Sequence, residues 1–213
     1  MKVLGLTGSI GMGKSTVASM ARRLGIPIFD ADAAVHRALS KGGRGVAPVA
    51  ALFPDALQDG QINRAVVGKF VFGQPEKLRQ LEAILHPIVR KDRQNFIALQ
   101  RRRQRPVVVL DIPLLFERDG WRVCDRVMVV TAPLFLQAAR VLQRPNMNMA
   151  RLLSIRKMQM AEAKKRVLTD FIIPTGMGKG PALRALRRAV TLTKVSQGKA
   201  RCAKSYWIRK PQA

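Results

Sequence analysis

The sequence predicts an α/β fold in which helices flank a parallel sheet, because short apolar strands alternate with segments of helical periodicity. Pro106–Asp111 is apolar up to its last residue and rich in β-branched side chains, as expected for a strand buried on both faces. Residues 134–142 repeat apolar side chains at helical spacing. With 213 residues, the chain is long enough for one such domain with an inserted piece, but too short for two large domains.

The most specific motif lies near the start of the chain. Residues 8–15 read GSIGMGKS, which satisfies G-x-x-x-x-G-K-[ST], and Thr16 follows directly. The strand-like segment Lys2–Leu6 precedes the motif and a helical pattern over Ser15–Leu24 follows it, which is the order of a phosphate-binding loop, or P-loop. We therefore predict a P-loop NTPase-type sheet that binds a nucleoside triphosphate.

Each part of this loop has a role in phosphate binding. Glycines let successive backbone N–H groups point at phosphate oxygens, beside the positive end of the next helix. Lys14 would add positive charge at the β and γ phosphates, and the Ser15 hydroxyl would bind a bridging Mg²⁺. The candidate nucleotide-binding residues here are Gly8, Gly11, Met12, Gly13, Lys14, Ser15 and Thr16.

Two strands are predicted to end in carboxylates near this loop, because the carboxyl ends of parallel strands face the ligand crevice. After the second strand, Asp30 is placed to cap the next helix, which leaves Asp32 to accept a proton or to hold Mg²⁺ through water. A cap or a surface charge is the alternative role for Asp32. Asp111 ends the third strand, where it either backs Mg²⁺ or is an ordinary strand-end residue.

Residues 40–105 predict a helical insertion that would bind the second substrate. Helical patterns cover Arg64–Phe72 and Pro75–Gln104, and no confident strand is predicted before them. Pro87 is expected to kink or restart the second helix. The neighbouring His86 is either packed inside the insertion or in contact with a ligand.

A basic helical segment at about 143–166 predicts a lid, in which an arginine or lysine would stabilise the transferring phosphoryl group and exclude water. A strand and a closing helix would follow, and then a basic tail at 194–213. We thus predict one kinase domain over residues 1–193. Its core would comprise residues 1–39, 106–142 and 167–193.

The net charge of +26 is extreme, and no acidic residue follows Asp170. This charge predicts attraction to polyanions, although most of the basic side chains are expected to form a solvated face. Tyr206 and Trp207 lie among basic residues and would either contact nucleic acid or belong to an ordinary terminus. Nucleic acid is not expected for function, because aromatic residues make up only 5% of the chain and no nucleic-acid-binding motif is recognised.

The sequence also predicts a cytoplasmic protein without membrane insertion. No apolar run approaches the roughly 20 residues that span a bilayer. Met1 and Lys2 lead straight into the first strand, and Cys124 and Cys202 are the only cysteines, as suits a reducing compartment.

Several further motifs follow the P-loop in a fixed order and spacing. They are Asp30-Ala31-Asp32, Leu85-His86-Pro87, residues 112–117 (IPLLFE), Gln143-Arg144, Gln159 and residues 170–176. With these motifs, the chain from residue 1 to about 190 resembles dephospho-CoA kinases, although only the P-loop is specific by itself. The resemblance implies transfer of the γ phosphate of ATP, with Mg²⁺, to the ribose 3′-hydroxyl of dephospho-CoA, giving coenzyme A and ADP.

The resemblance also implies roles for individual residues. Asp32 matches the proposed base, while Lys14 and Arg144 would stabilise charge in the transition state. The ATP adenine would lie near Thr175 and Gly176. Residues implied in the acceptor pocket are Asp32, His86, Leu115, Glu117 and Lys165, the last at a lid position that is often arginine.

Two other functions stay open at this point. A kinase for another small hydroxyl substrate, such as a nucleoside, would share the P-loop, insertion and lid. A basic nucleic-acid-associated NTP-binding protein would explain the charge. We expect a monomer or weak oligomer.

Overall fold

A computed structural model describes residues 1–198 and 200 of the chain. Among these residues, the structure has a five-stranded sheet, a two-stranded hairpin and nine α-helices. The strands are β1 (Lys2–Thr7), β2 (Ile28–Asp30), β3 (Leu57–Gln58), β4 (Gln61–Ile62), β5 (Val107–Asp111), β6 (Arg126–Thr131) and β7 (Phe171–Pro174). The helices are α1 (Lys14–Arg23), α2 (Ala31–Leu39), α3 (Val46–Leu52), α4 (Arg64–Val71), α5 (Pro75–Arg102), α6 (Leu134–Leu142), α7 (Met149–Met158), α8 (Glu162–Leu168) and α9 (Lys179–Val195).

The large sheet confirms the predicted fold class. Its strand order is β2-β5-β1-β6-β7, and β1 pairs in parallel with both β5 and β6. β6 also pairs in parallel with β7. The carboxyl ends of these four strands therefore meet at one edge, which brings the P-loop, Asp111 and the segment after β7 together.

The chain divides into two compact units, which we call the core unit and the insertion unit. The core unit comprises Met1–Phe29 and the chain from Gln100 onward, and the insertion unit comprises Asp30–Leu99. In the core unit, α1 and α9 bury apolar side chains against the sheet, which supports the edge where the P-loop begins. This cluster includes Leu4, Leu6, Val17, Ala18, Met128, Leu186 and Val190.

The insertion unit has its own apolar core, which includes Leu39, Val49 and Leu85. The predicted cap of α2 is present, because the Ala33 N–H donates to Asp30 Oδ1 at 3.0 Å. Of the two effects predicted for Pro87, a kink or a restart of the helix, the restart is wrong, since α5 continues through this residue. Loss of one backbone donor is compatible with a continuous helix where apolar packing holds the turns on both sides.

Sequence patterns missed α3 and the β3–β4 hairpin of the insertion unit. Each hairpin strand has only two residues, which is too short for an alternating pattern. The turn places Asp59 at φ 50° and Gly60 at φ 77°. Two positive φ angles are typical of a tight hairpin turn, and Asp-Gly is a favoured pair there.

Within the described residues, no helix is both long and apolar enough to cross a membrane. The closing helix α9 extends to Val195, two residues beyond the predicted end at Thr193. The predicted contact through Tyr206 and Trp207 lies outside the described residues, as does Cys202.

Candidate active site

The P-loop connects β1 to α1 and depends on glycine at two positions of left-handed backbone. Gly11 has φ 74° and Gly13 has φ 87°, a region that side chains with a Cβ rarely adopt. Space is also limited, because a Cβ on Gly11 would lie 2.5 Å from Val141 Cγ2 of α6. A Cβ on Gly13 would lie 3.0 Å from Thr175 Oγ1. The loop therefore needs glycine at both positions to keep this shape.

The first turn of α1 is suited to binding an anion. Gly13 is the N-cap residue, and no side chain in the described part of the chain caps the helix. The side chains of Ser15 and Thr16 in this turn are exposed. The first N–H groups of a helix lack intrahelical partners and lie at the positive end of the helix dipole, so phosphate oxygens are suitable acceptors.

Lys14 pairs with Asp111 across the sheet edge. Lys14 Nζ lies 2.6 Å from Asp111 Oδ1, and the Asp111 side chain is only 4% exposed. This ion pair holds the lysine beside the loop. The Ser15 hydroxyl and the Asp111 carboxylate also supply oxygen donors, which Mg²⁺ prefers. The site thus fits a metal ion held mainly by the phosphates of a nucleotide.

Arg140 of α6 joins the P-loop to the segment after β7. Its guanidinium donates to Thr175 O at 2.9 Å, to Thr175 Oγ1 at 3.3 Å and to Gly11 O at 3.5 Å. Thr175 Oγ1 in turn donates to Met12 O at 2.6 Å. Sequence reasoning missed Arg140, because its partners Gly11 and Thr175 lie far away in the chain and no local pattern indicates these contacts. These bonds fix the loop that is predicted to hold the adenine of ATP.

Gln159 lies in the short segment between α7 and α8 and connects this part of the predicted lid to the P-loop. The Ile10 N–H donates to Gln159 Oε1 at 3.1 Å, while Gln137 Nε2 of α6 donates to Ile10 O at 2.8 Å. Both backbone groups of Ile10 are therefore held by amide side chains. The segment between α7 and α8 and helix α6 therefore both hold the P-loop backbone at Ile10.

Glu162 lines a pocket of about 440 Å³ between α6, the P-loop and the segment from α7 to the start of α8. Burial raises the pKa of the Glu162 carboxyl, an effect that Lys165, Ser9 and Arg166 partly offset. Ser9 Oγ donates to Glu162 Oε2 at 3.4 Å. Arg156 and Lys157 of α7 also line the pocket, so basic side chains lie beside the phosphate-binding loop.

Glu117 and Lys165, both implied in the acceptor pocket, form a buried ion pair. Lys165 Nζ lies 3.0 Å from Glu117 Oε1, and Lys165 is fully buried. The Met160 N–H also donates to Glu117 Oε1 at 2.8 Å. Burial alone would raise the pKa of Glu117, but these hydrogen bonds and the Lys165 charge outweigh it and lower the pKa below its usual 4.5. The pair fastens α8 to the segment after β5.

Replacing Lys165 by methionine should lower the free energy of unfolding at pH 7 by about 3 kcal/mol, because Glu117 would lose its cation in a buried site. In the folded wild-type protein, the pKa of Glu117 is lower than its ordinary value of 4.5, which applies to the unfolded chain. Ionised Glu117 therefore stabilises the fold fully above pH 4.5, and this stabilisation is lost as the pH falls through the pKa of the folded state. The difference between variant and wild type should therefore shrink in acid. Chemical denaturation at several pH values measures it.

The matched control for this experiment is Lys164→Met, because Lys164 is the exposed neighbour in the same helix. We expect this change to alter stability by less than about 0.5 kcal/mol. Equal stability of the two variants at pH 7 would show that the buried pair contributes nothing.

The structure places the other implied residues in different surroundings. Leu115 is fully buried, and a Cβ on Gly5 would lie 2.9 Å from its Cδ2, so in this conformation it packs in the core and is not exposed to a ligand. Arg144 is exposed just after α6. In the insertion unit, Asp32 is exposed in the first turn of α2, and His86 is exposed on α5. His86 is therefore not a packed core residue.

Comparison with known proteins gives consistent matches over most of the chain. A family model described as dephospho-CoA kinase (CoaE) matches residues 2–178. A dephospho-CoA kinase from Rhodospirillum rubrum is 53% identical over 194 residues, covering 90% of this chain and 92% of the relative. One from Paramagnetospirillum magneticum is 55% identical over 166 residues, covering 78% of each chain.

Two solved structures share the fold of this chain. The crystal structure of a Thermus thermophilus protein matches with a TM-score of 0.78 and 33% identity, covering 92% of this chain and 98% of that one. A dephospho-CoA kinase from Campylobacter jejuni has the same fold, with a TM-score of 0.68 at 23% identity, covering 89% of this chain and 96% of that one. By its family model and its curated relatives, this chain belongs to the dephospho-CoA kinase family.

Proposed function

We propose that this chain phosphorylates the ribose 3′-hydroxyl of dephospho-CoA with ATP and Mg²⁺, using the P-loop and Asp32. Family membership supports an ATP-dependent kinase for dephospho-CoA. The observation that carries the proposal is the shape of the P-loop, with glycines in left-handed backbone and Lys14 held 2.6 Å from Asp111. This shape suits a triphosphate at the carboxyl edge of the sheet.

The core unit would bind and orient ATP. N–H groups of the P-loop and of the first turn of α1 would donate to the β and γ phosphates, and Lys14 would contact the γ phosphate as charge builds on it. Ser15 would hold Mg²⁺, with Asp111 behind it. The bound metal would supply charge that stabilises the oxygens of the transferring group. The adenine would lie near Thr175 and Gly176, beside Arg140.

Asp32 would act as the general base for the acceptor. Asp30 is already used, because it accepts the Ala33 N–H at 3.0 Å, whereas the Asp32 carboxylate is exposed in the same helix. As the 3′-oxygen bonds to the γ phosphorus, its proton would pass to Asp32 while the bond from the γ phosphorus to the bridging oxygen breaks. ADP would leave with the electron pair of that bond.

The lid would complete the site when it closes. Arg144 is exposed after α6 and would reach the transferring phosphoryl group, whose charge it would stabilise. Glu117 and Lys165 would act by fixing α8, and His86 would contact the acceptor from the insertion unit. We also propose a cytoplasmic protein that acts as a monomer or weak oligomer.

Substrate selectivity tests this function. Purified protein with MgATP should form ADP at least 100-fold faster with dephospho-CoA than with nucleosides, because a site built for one substrate rejects analogues that leave polar groups unpaired. A coupled ADP assay measures the rates, and the mass of the product identifies coenzyme A. RNA should not raise ATP turnover. Turnover that ignores dephospho-CoA and rises with RNA would support the nucleic-acid alternative.

A further inference from the structure

A second pocket lies entirely within the insertion unit and has no role so far. Its volume is about 280 Å³, and it lies between the end of α2, the β3–β4 hairpin and the start of α4. His36 and Ser40 line it from α2, and Gln58 and Gln61 line it from the hairpin. A volume of this size fits one ring system of a substrate better than a whole coenzyme A precursor.

The pocket begins one helical turn from Asp32. Asp32, His36 and Ser40 follow each other at four-residue steps, so they lie along one face of α2 and its C-terminal end. The Cβ atoms of Asp32 and His36 are expected about 6 Å apart, as is usual for this spacing. If the acceptor ribose lies at Asp32, the two groups attached to that ribose, the adenine and the 5′-diphosphate, are close enough to reach the pocket.

The hairpin presents two amide side chains together. Gln58 and Gln61 are directly paired across the β3–β4 ladder, which puts their side chains on the same face. Asn63 Nδ2 donates to Gln58 Oε1 at 2.8 Å, which fixes the orientation of that amide. Gln61 is exposed, and no hydrogen bond to its side chain is seen within residues 1–198. Its amide is thus available to a ligand.

The charged side chains that line the pocket favour a neutral group over a diphosphate. Arg64 and Asp59 both line it, so one positive and one negative side chain offset each other. A diphosphate would need an excess of positive charge. Amide side chains instead match adenine, because a glutamine can accept from the N6 amino group and donate to N7 at the same time.

We propose that this pocket binds the adenine of the acceptor, with Gln61 as the main hydrogen-bonding residue and His36 against the ring. The inference rests on the proposed function, since it places the acceptor ribose at Asp32. The pocket would then select dephospho-CoA by its base, separately from the ATP adenine near Thr175.

The test compares two acceptors: dephospho-CoA and an analogue with unsubstituted purine in place of adenine, which lacks the N6 amino group. For wild type, the KM and the calorimetric Kd should be about tenfold higher with the purine analogue, the size expected for one good base contact. Gln61→Leu should raise the KM for dephospho-CoA about tenfold, leave the KM for ATP unchanged and abolish the preference for adenine. The control is Gln74→Leu, which changes an exposed glutamine outside the pocket.

Two results would overturn the inference. Gln61→Leu could have the same KM and Kd as Gln74→Leu with both acceptors, which would mean that the acceptor binds elsewhere. It could also weaken both acceptors equally and keep the preference for adenine, which would assign the pocket to another part of the substrate. Because calorimetry reads acceptor binding without turnover, an inactive wild-type protein would contradict the proposed function while the adenine preference is still measured.

Discussion

Replacing Asp32 by asparagine should lower the kcat for dephospho-CoA about 10²- to 10⁴-fold, the range that general base catalysis supplies. Asparagine keeps the size and the exposed position in the first turn of α2 but cannot take the proton of the 3′-hydroxyl. The KM for ATP and the free energy of unfolding should stay close to wild type. Steady-state kinetics and chemical denaturation measure these quantities.

Asp55→Asn is the matched control, since Asp55 is another exposed aspartate of the insertion unit. It should leave kcat within about twofold of wild type, as surface changes away from a site usually do. If Asp32→Asn keeps more than a tenth of wild-type kcat, Asp32 is not the base. Asp30 would not replace it without cost, because its carboxylate already caps α2.

The strands of the core unit were predictable because local patterns determine them. Val107–Asp111 is buried along its whole length, as its apolar residues indicate. The glycines of the P-loop were equally readable, since Gly11 and Gly13 adopt the positive φ angles that the motif requires. The spacing of residues along the chain was therefore enough to predict the strand, loop and helix that would bind phosphate.

The insertion unit was harder to predict because its elements are short or break local rules. The β3–β4 hairpin has strands of two residues, and only its Asp59-Gly60 turn carries a signal. Pro87 reads as a helix breaker, yet α5 continues through it. Leu81 and Leu85 pack into the core of the insertion unit, and this packing stabilises the helix near Pro87 in a way that the local sequence does not show.

At the candidate site, long-range contacts decided what the sequence left open. The resemblance implies that Lys165 lies in the acceptor pocket, but its side chain is fully buried against Glu117, which lies 48 residues earlier in the chain. Leu115 reads as part of a pocket but packs in the core. Arg140 contacts Gly11 and Thr175, and no periodicity reports such a pairing.

Replacing Lys14 by alanine should lower kcat/KM about 10²- to 10³-fold, because a positioned cation acts most strongly on the charge of the transition state. The same change removes the partner that lies 2.6 Å from Asp111, whose side chain is 4% exposed. The free energy of unfolding should therefore also fall, by about 2 kcal/mol. Kinetics and chemical denaturation measure the two effects.

A second variant separates catalysis from stability. Adding Asp111→Asn to Lys14→Ala replaces the buried carboxylate by a neutral amide, so most of the lost stability should return. Activity should stay low, because neither change restores a cation at the γ phosphate and Asp111→Asn also removes the carboxylate proposed to lie behind Mg²⁺. If the double variant regains activity together with stability, Lys14 acts only by pairing with Asp111, and its proposed contact with the phosphate is wrong.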